Sequence, residues 1–125
     1  MTKDELDAVS EKVIGAAYKV SNTLGAGFLE KVYENALAHQ LKKDGMKTEQ
    51  QRPIKVYYDD VVVGEYFADL IVAGAVIVEL KAAKRIEDIH LAQTLNYLKA
   101  TGLTLGLILN FGKPKVEIKR VVNNF

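Results

Sequence analysis

The sequence predicts an α/β fold: a mixed five-stranded sheet with two N-terminal helices and one crossover helix packed on it. Three observations carry this expectation. Over the first forty-odd residues, apolar side chains recur at three- and four-residue steps, the period of an amphipathic helix. From Pro53 the pattern changes to runs of β-branched and aromatic residues, which fit strands. Finally, residues 76 to 111 read strand, helix, strand, and a right-handed crossover of this kind makes a parallel pair within an otherwise antiparallel sheet.

The elements follow in order. Thr2 and Glu5 form a capping-box pattern ahead of Leu6, Val9, Val13, Ala16 or Ala17, Val20 and Leu24, and Gly25-Ala26-Gly27 stops this helix. A second helix is expected from about Phe28 to Lys43, with Phe28, Leu29, Val32, Ala36, Leu37 and Leu41 on its apolar face. Lys42 and Lys43 occupy its last turn, and Gly45 suits the C′ position. Strands are expected over Ile54–Tyr58 and Val61–Val72 with Asp59-Asp60 as the turn, and a third over Val76–Lys81. A helix from Asp88 to Thr101 should point Ile89, Ala92, Leu95 and Leu98 inward, with Gly102 closing it. Leu103–Phe111 is almost unbroken in its apolar character, as in a strand covered on both faces, and Val116–Val122 reads as an edge strand.

Composition narrows the function classes. A length of 125 residues suits one domain spanning 1–125, and 49% apolar with 26% charged residues is ordinary for a soluble globular chain. The net charge of +1 excludes a strongly basic body, so any nucleic-acid affinity must come from a local patch. With no cysteine there is no disulfide, zinc-thiolate site or thiol nucleophile, which fits a reducing cytoplasm. No signal-peptide pattern opens the chain, and the longest apolar run, Leu70 to Val78, is far short of the ~20 residues of a membrane span; the expectation is a cytoplasmic chain with no membrane partner.

Asp69, Glu79 and Lys81 interrupt the otherwise apolar stretch from Phe67 to Lys81. An unpaired buried charge costs several kcal/mol, so these groups need one another, a metal or water. Two carboxylates and an ammonium at strand ends are what a hydrolytic metal site requires; the alternative is an ion pair of Lys81 with Glu79 or Asp69. Alternation places Glu79 and Lys81 on one face of the third strand. A two-residue turn at Ala73-Gly74 would point Asp69 away from Glu79, whereas a three-residue loop, Ala73-Gly74-Ala75, would set the two carboxylates opposite each other. Both registers are open to the sequence. On the last helix, His90, Gln93 and Tyr97 form a polar stripe that, taken alone, reads as a solvated face. His39 and His90 lack a metal-binding spacing.

Taken together, these residues resemble a known family. Asp69 followed by Glu79-Leu80-Lys81 is similar to the D…(D/E)xK core of the PD-(D/E)xK nuclease superfamily, and Gln93-x-x-x-Tyr97 is similar to the QxxxY element of its RecB-like branch. Gly27-x-x-Glu30-x-x-Tyr33 resembles the signature of the GxxExxY protein family within it. Ala68 stands where the superfamily's name has proline. The resemblance implies a restriction-endonuclease-like core and a metal-dependent nuclease, acting on DNA ahead of RNA. It implies that Asp69, Glu79 and the Leu80 carbonyl ligate Mg²⁺ or Mn²⁺, with Glu30 an outer ligand, and that Lys81 orients or helps deprotonate the attacking water. Gln93, Tyr97, Tyr33, Lys84 and Arg85 become candidates for contact with the nucleic acid. A homodimer is expected for so small a nuclease. The competing expectation is an inactive nucleic-acid-binding or assembly domain that keeps the fold.

Overall fold

The computed structural model describes residues 1–124. In chain order the elements are α1 (Lys3–Leu24), α2 (Glu30–Lys43), β1 (Thr48–Tyr58), β2 (Val61–Val72), β3 (Val76–Lys81), α3 (Asp88–Thr101), β4 (Leu105–Asn110) and β5 (Glu117–Val122). The fold class is therefore the one the sequence predicts. At the start of α1 both capping-box bonds form: the Glu5 N–H donates to Thr2 Oγ1 and the Thr2 N–H to Glu5 Oε1, each at 3.1 Å.

The five strands lie side by side in chain order, antiparallel throughout except for the parallel pair β3–β4 that α3 connects. Side-chain alternation splits the core into two layers. Leu70, Val72, Val76, Val78, Leu80, Leu105, Leu107 and Leu109 pack against α1 and α2, while Ile71, Ile77 and Ile108 pack with Tyr97 and Leu98 of α3. All six residues of β4 are buried, as its unbroken apolar sequence requires. Among the described residues no helix is long and apolar enough to cross a membrane.

Four boundaries differ from expectation. The first turn of α2 begins at Glu30, so Phe28 and Leu29 are exposed instead of lying on its apolar face. Strand β1 starts at Thr48, six residues early, because its polar first half pairs with the buried end of β2 (Thr48↔Val72, Glu49↔Ile71, Gln50↔Leu70); tertiary pairing outweighs local composition there. Pro53 is tolerated because β1 is an edge strand. Strands β4 and β5 are each shorter than their apolar runs. On α3 the inward stripe is rotated: Thr94, Tyr97 and Leu98 are buried, while Ile89 is 68% exposed and Ala92 is also exposed.

Candidate active site

The turn at Gly74 settles the register. Strands β2 and β3 pair as Leu70↔Val78, Ile71↔Ile77 and Val72↔Val76, which is the pairing of the three-residue loop. Ala73 and Gly74 both take left-handed φ values, 56° and 63°, and the Ala75 N–H closes the loop on the Val72 carbonyl. One step further along this register Asp69 stands opposite Glu79, and there the backbone ladder between the two strands ends. In its place Asp69 Oδ2 accepts the Leu80 N–H at 2.9 Å. Because the N–H and C=O of a strand residue point to the same edge, the Leu80 carbonyl faces the same split between β2 and β3. The carbonyl of Lys81, one residue on, faces the other way and accepts the Phe111 N–H of the β4 side.

A second irregularity turns Asp69 into the split. Ala68 belongs to the layer under α3, yet Leu70 belongs to the layer under α1 and α2, so the alternation of β2 slips between them. The facing residue of β1, Gln51, has φ 51°, and the regular pairs Gln50↔Leu70 and Arg52↔Ala68 bracket it. A left-handed φ at a non-glycine residue inside a strand is strained, by about 1–3 kcal/mol. The kink aims the Gln51 side chain across the sheet: its Nε2 donates to Asp69 Oδ1 at 3.2 Å and to Glu34 Oε1 at 2.9 Å.

Glu79 is the most perturbed group. It is 7% exposed, and its Oε1 is buried with no hydrogen-bond partner. Its pKa is pushed up to about 9, first by burial and then by the neighbouring Asp69 carboxylate; Lys81 acts weakly in the opposite sense. Among the described residues no ion pair joins Lys81 to Glu79 or Asp69, so the structural ion-pair alternative does not describe this cluster. Nor do three or more His, Asp or Glu side chains there form a ready-made metal cage. What is present is a pair of facing carboxylates, one with an orphaned oxygen, beside a backbone carbonyl aimed at the same gap. All three are hard oxygen donors, and that set fits a divalent cation of the Mg²⁺ or Mn²⁺ type.

The N-terminus of α2 brings Glu30 to the same end of the sheet. Its carboxyl is raised in pKa by partial burial and by Asp69, with Lys81 and the Ala82 N–H pulling it down. Its position is set by Tyr33, which is fully buried and stacked on Phe111 at 4.8 Å. The Tyr33 hydroxyl donates to the Gly25 carbonyl and accepts from the Phe28 N–H. The loop between α1 and α2 is thereby wrapped around one phenol, which delays the helix to Glu30. Tyr33, expected among the groups that meet nucleic acid, is corrected to an internal anchor, because no part of it reaches solvent. One residue on, Glu34 is 3% exposed and accepts from Lys31, Gln50 and Gln51 at 2.8–2.9 Å. The sequence reading missed Glu34, although its spacing to Leu37 and Leu41 places it on the buried stripe.

Lys81 is half-exposed at the end of β3, and the loop that follows it is clamped from β4 and β5. Asn110, wholly buried, accepts the Ala83 N–H and donates to the Ala83 carbonyl, both at 2.9 Å. Glu117 Oε1 accepts from Asn110 and from the Ile86 N–H. Gly112 lies so close that an added Cβ would sit 2.2 Å from the Ala83 carbonyl oxygen. The sequence shows Gly112 only as part of the Gly112-Lys113-Pro114 turn, Asn110 only as part of an apolar run, and nothing of the role of Glu117. Lys84 and Arg85 are exposed on this loop, Arg85 beside Glu87 at 3.7 Å.

On α3, Gln93 is exposed and its Nε2 donates to the Tyr97 hydroxyl at 2.9 Å. Tyr97 is 7% exposed and faces the same layer as Ile77 and Ala68. Its phenol is raised in pKa by burial first, then by the Glu79 charge, so the stripe runs up to the carboxylates. His90 is not part of that face chemically; its Nδ1 accepts the Glu87 N–H at the start of the helix.

No curated protein and no solved structure matches the chain. A model of the PD-(D/E)XK nuclease superfamily does match, over residues 7–121, a span that runs from α1 into β5 and includes every residue of the carboxylate cluster. With facing carboxylates, an adjacent lysine and this sheet order beneath them, the chain belongs to the PD-(D/E)XK nuclease superfamily.

Proposed function

We propose that the chain is a metal-dependent nuclease of the GxxExxY group and the RecB-like branch, hydrolysing phosphodiester bonds in DNA ahead of RNA. The observation that carries this reading is the orphaned, buried Glu79 oxygen facing Asp69 across the three-residue turn. Asp69, Glu79 and the Leu80 carbonyl would hold Mg²⁺ or Mn²⁺, with Glu30 as an outer ligand. The bound ion would supply positive charge that activates water and offsets charge developing on the phosphate. In this reading the overall change is addition of water across one P–O ester bond, leaving a phosphate monoester and a free hydroxyl.

The chain's own groups do the rest. Strand alternation puts Lys81 on the same face of β3 as Glu79, where its ammonium would orient the attacking water and hydrogen-bond a phosphoryl oxygen, the water's proton passing to solvent. The Asn110–Gly112–Glu117 clamp fixes the loop after Lys81 and so limits where the ammonium can reach. Asp69 holds Leu80 by its N–H, which keeps the Leu80 carbonyl directed into the gap. Gln93 supplies a polar group at the mouth of the site, and Lys84 and Arg85 offer charges to the backbone of the substrate.

Incubation with DNA and with RNA in Mg²⁺ or Mn²⁺, beside Asp69→Ala and Lys81→Ala, tests the reading. Cleavage should require the metal and vanish in both variants. Cleavage that persists in both would belong to a contaminant. Nucleic-acid binding without cleavage, together with calorimetric Mn²⁺ binding that ignores Glu79, would make this an inactive binding domain instead.

A further inference from the structure

Between the outer half of the β1–β2 hairpin and α3 runs a groove with a volume of about 720 Å³ that the hydrolytic chemistry does not require. Tyr57, Tyr66, Gln93 and Tyr97 line it, with Lys55 and Lys99 at its rims. The Tyr66 and Tyr97 rings meet at 5.5 Å between centroids, tilted by 43°. Tyr97 forms the floor, whereas Tyr66 and Tyr57 are 48% and 60% exposed. Exposed tyrosines on a hairpin cost solubility and add little to the core, so their clustering calls for an occupant. Both lysines are exposed, and neither is in an ion pair among the described residues.

The groove adjoins the carboxylate site through Tyr97, whose phenol feels the Glu79 charge. Its floor residue Tyr97 packs in one layer with Ile77 and Ala68, and these are followed on their strands by Glu79 two residues on and Asp69 one residue on. An occupant of the groove therefore lies next to the carboxylates.

We propose that this groove binds an unpaired nucleic-acid strand, with bases against Tyr57 and Tyr66 and phosphates along Lys55 and Lys99, so that the site acts on single strands. The proposal rests on the nuclease reading for its consequence, but not for its test. Stacking on aromatic faces between cationic rims is how proteins hold single strands without reading sequence. A duplex hides its bases from such rings. It also needs a broader contact, roughly 1,000–2,500 Å² of protein surface, and a basic field that a chain of net charge +1 lacks.

The test is fluorescence anisotropy of a labelled oligothymidylate and of a duplex of equal length, in EDTA so that nothing is cut. The wild type should bind the single strand at least tenfold more tightly than the duplex. Tyr57→Ala and Tyr66→Ala should each weaken single-strand binding about fivefold or more, as loss of a stacking platform does. Lys55→Ala and Lys99→Ala should each lower the slope of log K against log salt by about 0.7. Circular dichroism confirms folding of these surface variants. Equal or tighter duplex binding overturns the proposal, as does wild-type affinity in both tyrosine variants. A tyrosine variant that changes the oligomeric state by light scattering, and leaves oligonucleotide binding intact, also overturns it, making the groove a contact between copies. The two readings fail separately. Single-strand binding without metal-dependent cleavage defeats only the nuclease, and duplex cleavage that is indifferent to the tyrosines defeats only the groove.

Discussion

Replacing Glu79 by Gln in metal-free protein should stabilise it, increasingly so as pH rises. The carboxyl has a pKa of about 9 in the fold against an ordinary value of 4.5, so the folded state holds a proton that the unfolded state releases. Folded protein then binds more protons than unfolded protein throughout the interval between the two values. Stability therefore falls as pH rises through that window and levels off above it. One proton corresponds to ~1.4 kcal/mol per pH unit, so the loss between pH 6 and pH 8 is about 3 kcal/mol. For a chain of this length that is roughly a 10 °C fall in Tm. Glu30 is shifted in the same direction and adds to the fall. Glu5, Asp7 and Glu117 are shifted downward, and their contributions are lost only as pH falls through the acid range.

The assay is thermal unfolding in EDTA from pH 5 to pH 9, wild type beside Glu79→Gln. The wild-type Tm should fall across the range, and the variant, which presents a neutral isostere, should lose most of that slope. At pH 8 it should be the more stable of the two. Mn²⁺ at a hundred times its Kd should restore about 2.7 kcal/mol to the wild type and nothing to the variant. A variant that keeps the wild-type slope, or is less stable than wild type at pH 8, would mean that Glu79 is ionised and well partnered without a metal, and the account of the site would fail.

Four further substitutions at three positions probe the supports. Gly112→Ala puts a methyl against the Ala83 backbone and should cost about 1–3 kcal/mol while lowering the cleavage rate, read by denaturant unfolding and by single-turnover kinetics. Tyr33→Phe removes the partner of the Gly25 carbonyl and the Phe28 N–H at a buried site; about 1–3 kcal/mol should be lost and the Phe28 amide should exchange faster by NMR. Gln51→Ala and Gln51→Gly both delete the bridge between Glu34 and Asp69, but only glycine relieves the left-handed φ, so the glycine variant should be the more stable by about 1 kcal/mol.

The fold was legible because its periods are clean: helical before Pro53, strand-like after it, with one long crossover. Asp69, Glu79 and Lys81 were legible as charges in strands that otherwise want none. Their register was legible only as a choice, since loops of two and three residues at Gly74 differ by the backbone of Ala73, and no composition dictates a left-handed alanine. Gln51 left no trace in the sequence, because its role comes from a strained φ that pairing imposes from outside. Asn110 was hidden for a related reason: its partners, Ala83 and Glu117, come from other elements. Tyr33 was misread because a residue inside a functional motif need not touch the substrate. Here it positions the glutamate three residues before it.

The double role of Asp69 decides how the site should be dissected. Its carboxylate is both a proposed ligand and the acceptor for the Leu80 N–H at the point where β2 and β3 part. Asp69→Ala removes both functions, and the orphaned N–H alone should cost about 1–3 kcal/mol. Lost activity in that variant could then report a shifted Leu80 instead of a missing ligand. Asp69→Asn separates the two, because an amide oxygen can still accept the Leu80 N–H while its neutral donor is a far poorer partner for a hard cation. It should unfold within about 1 kcal/mol of wild type in EDTA, yet lose Mn²⁺ binding in calorimetry and cleavage with it. It should also lower the Glu79 pKa, because the charge facing that carboxyl is gone, and so flatten the fall in stability between pH 6 and pH 8. An Asn variant that binds Mn²⁺ like the wild type would remove Asp69 from the ligand set and leave it with the single task of closing the split between the strands.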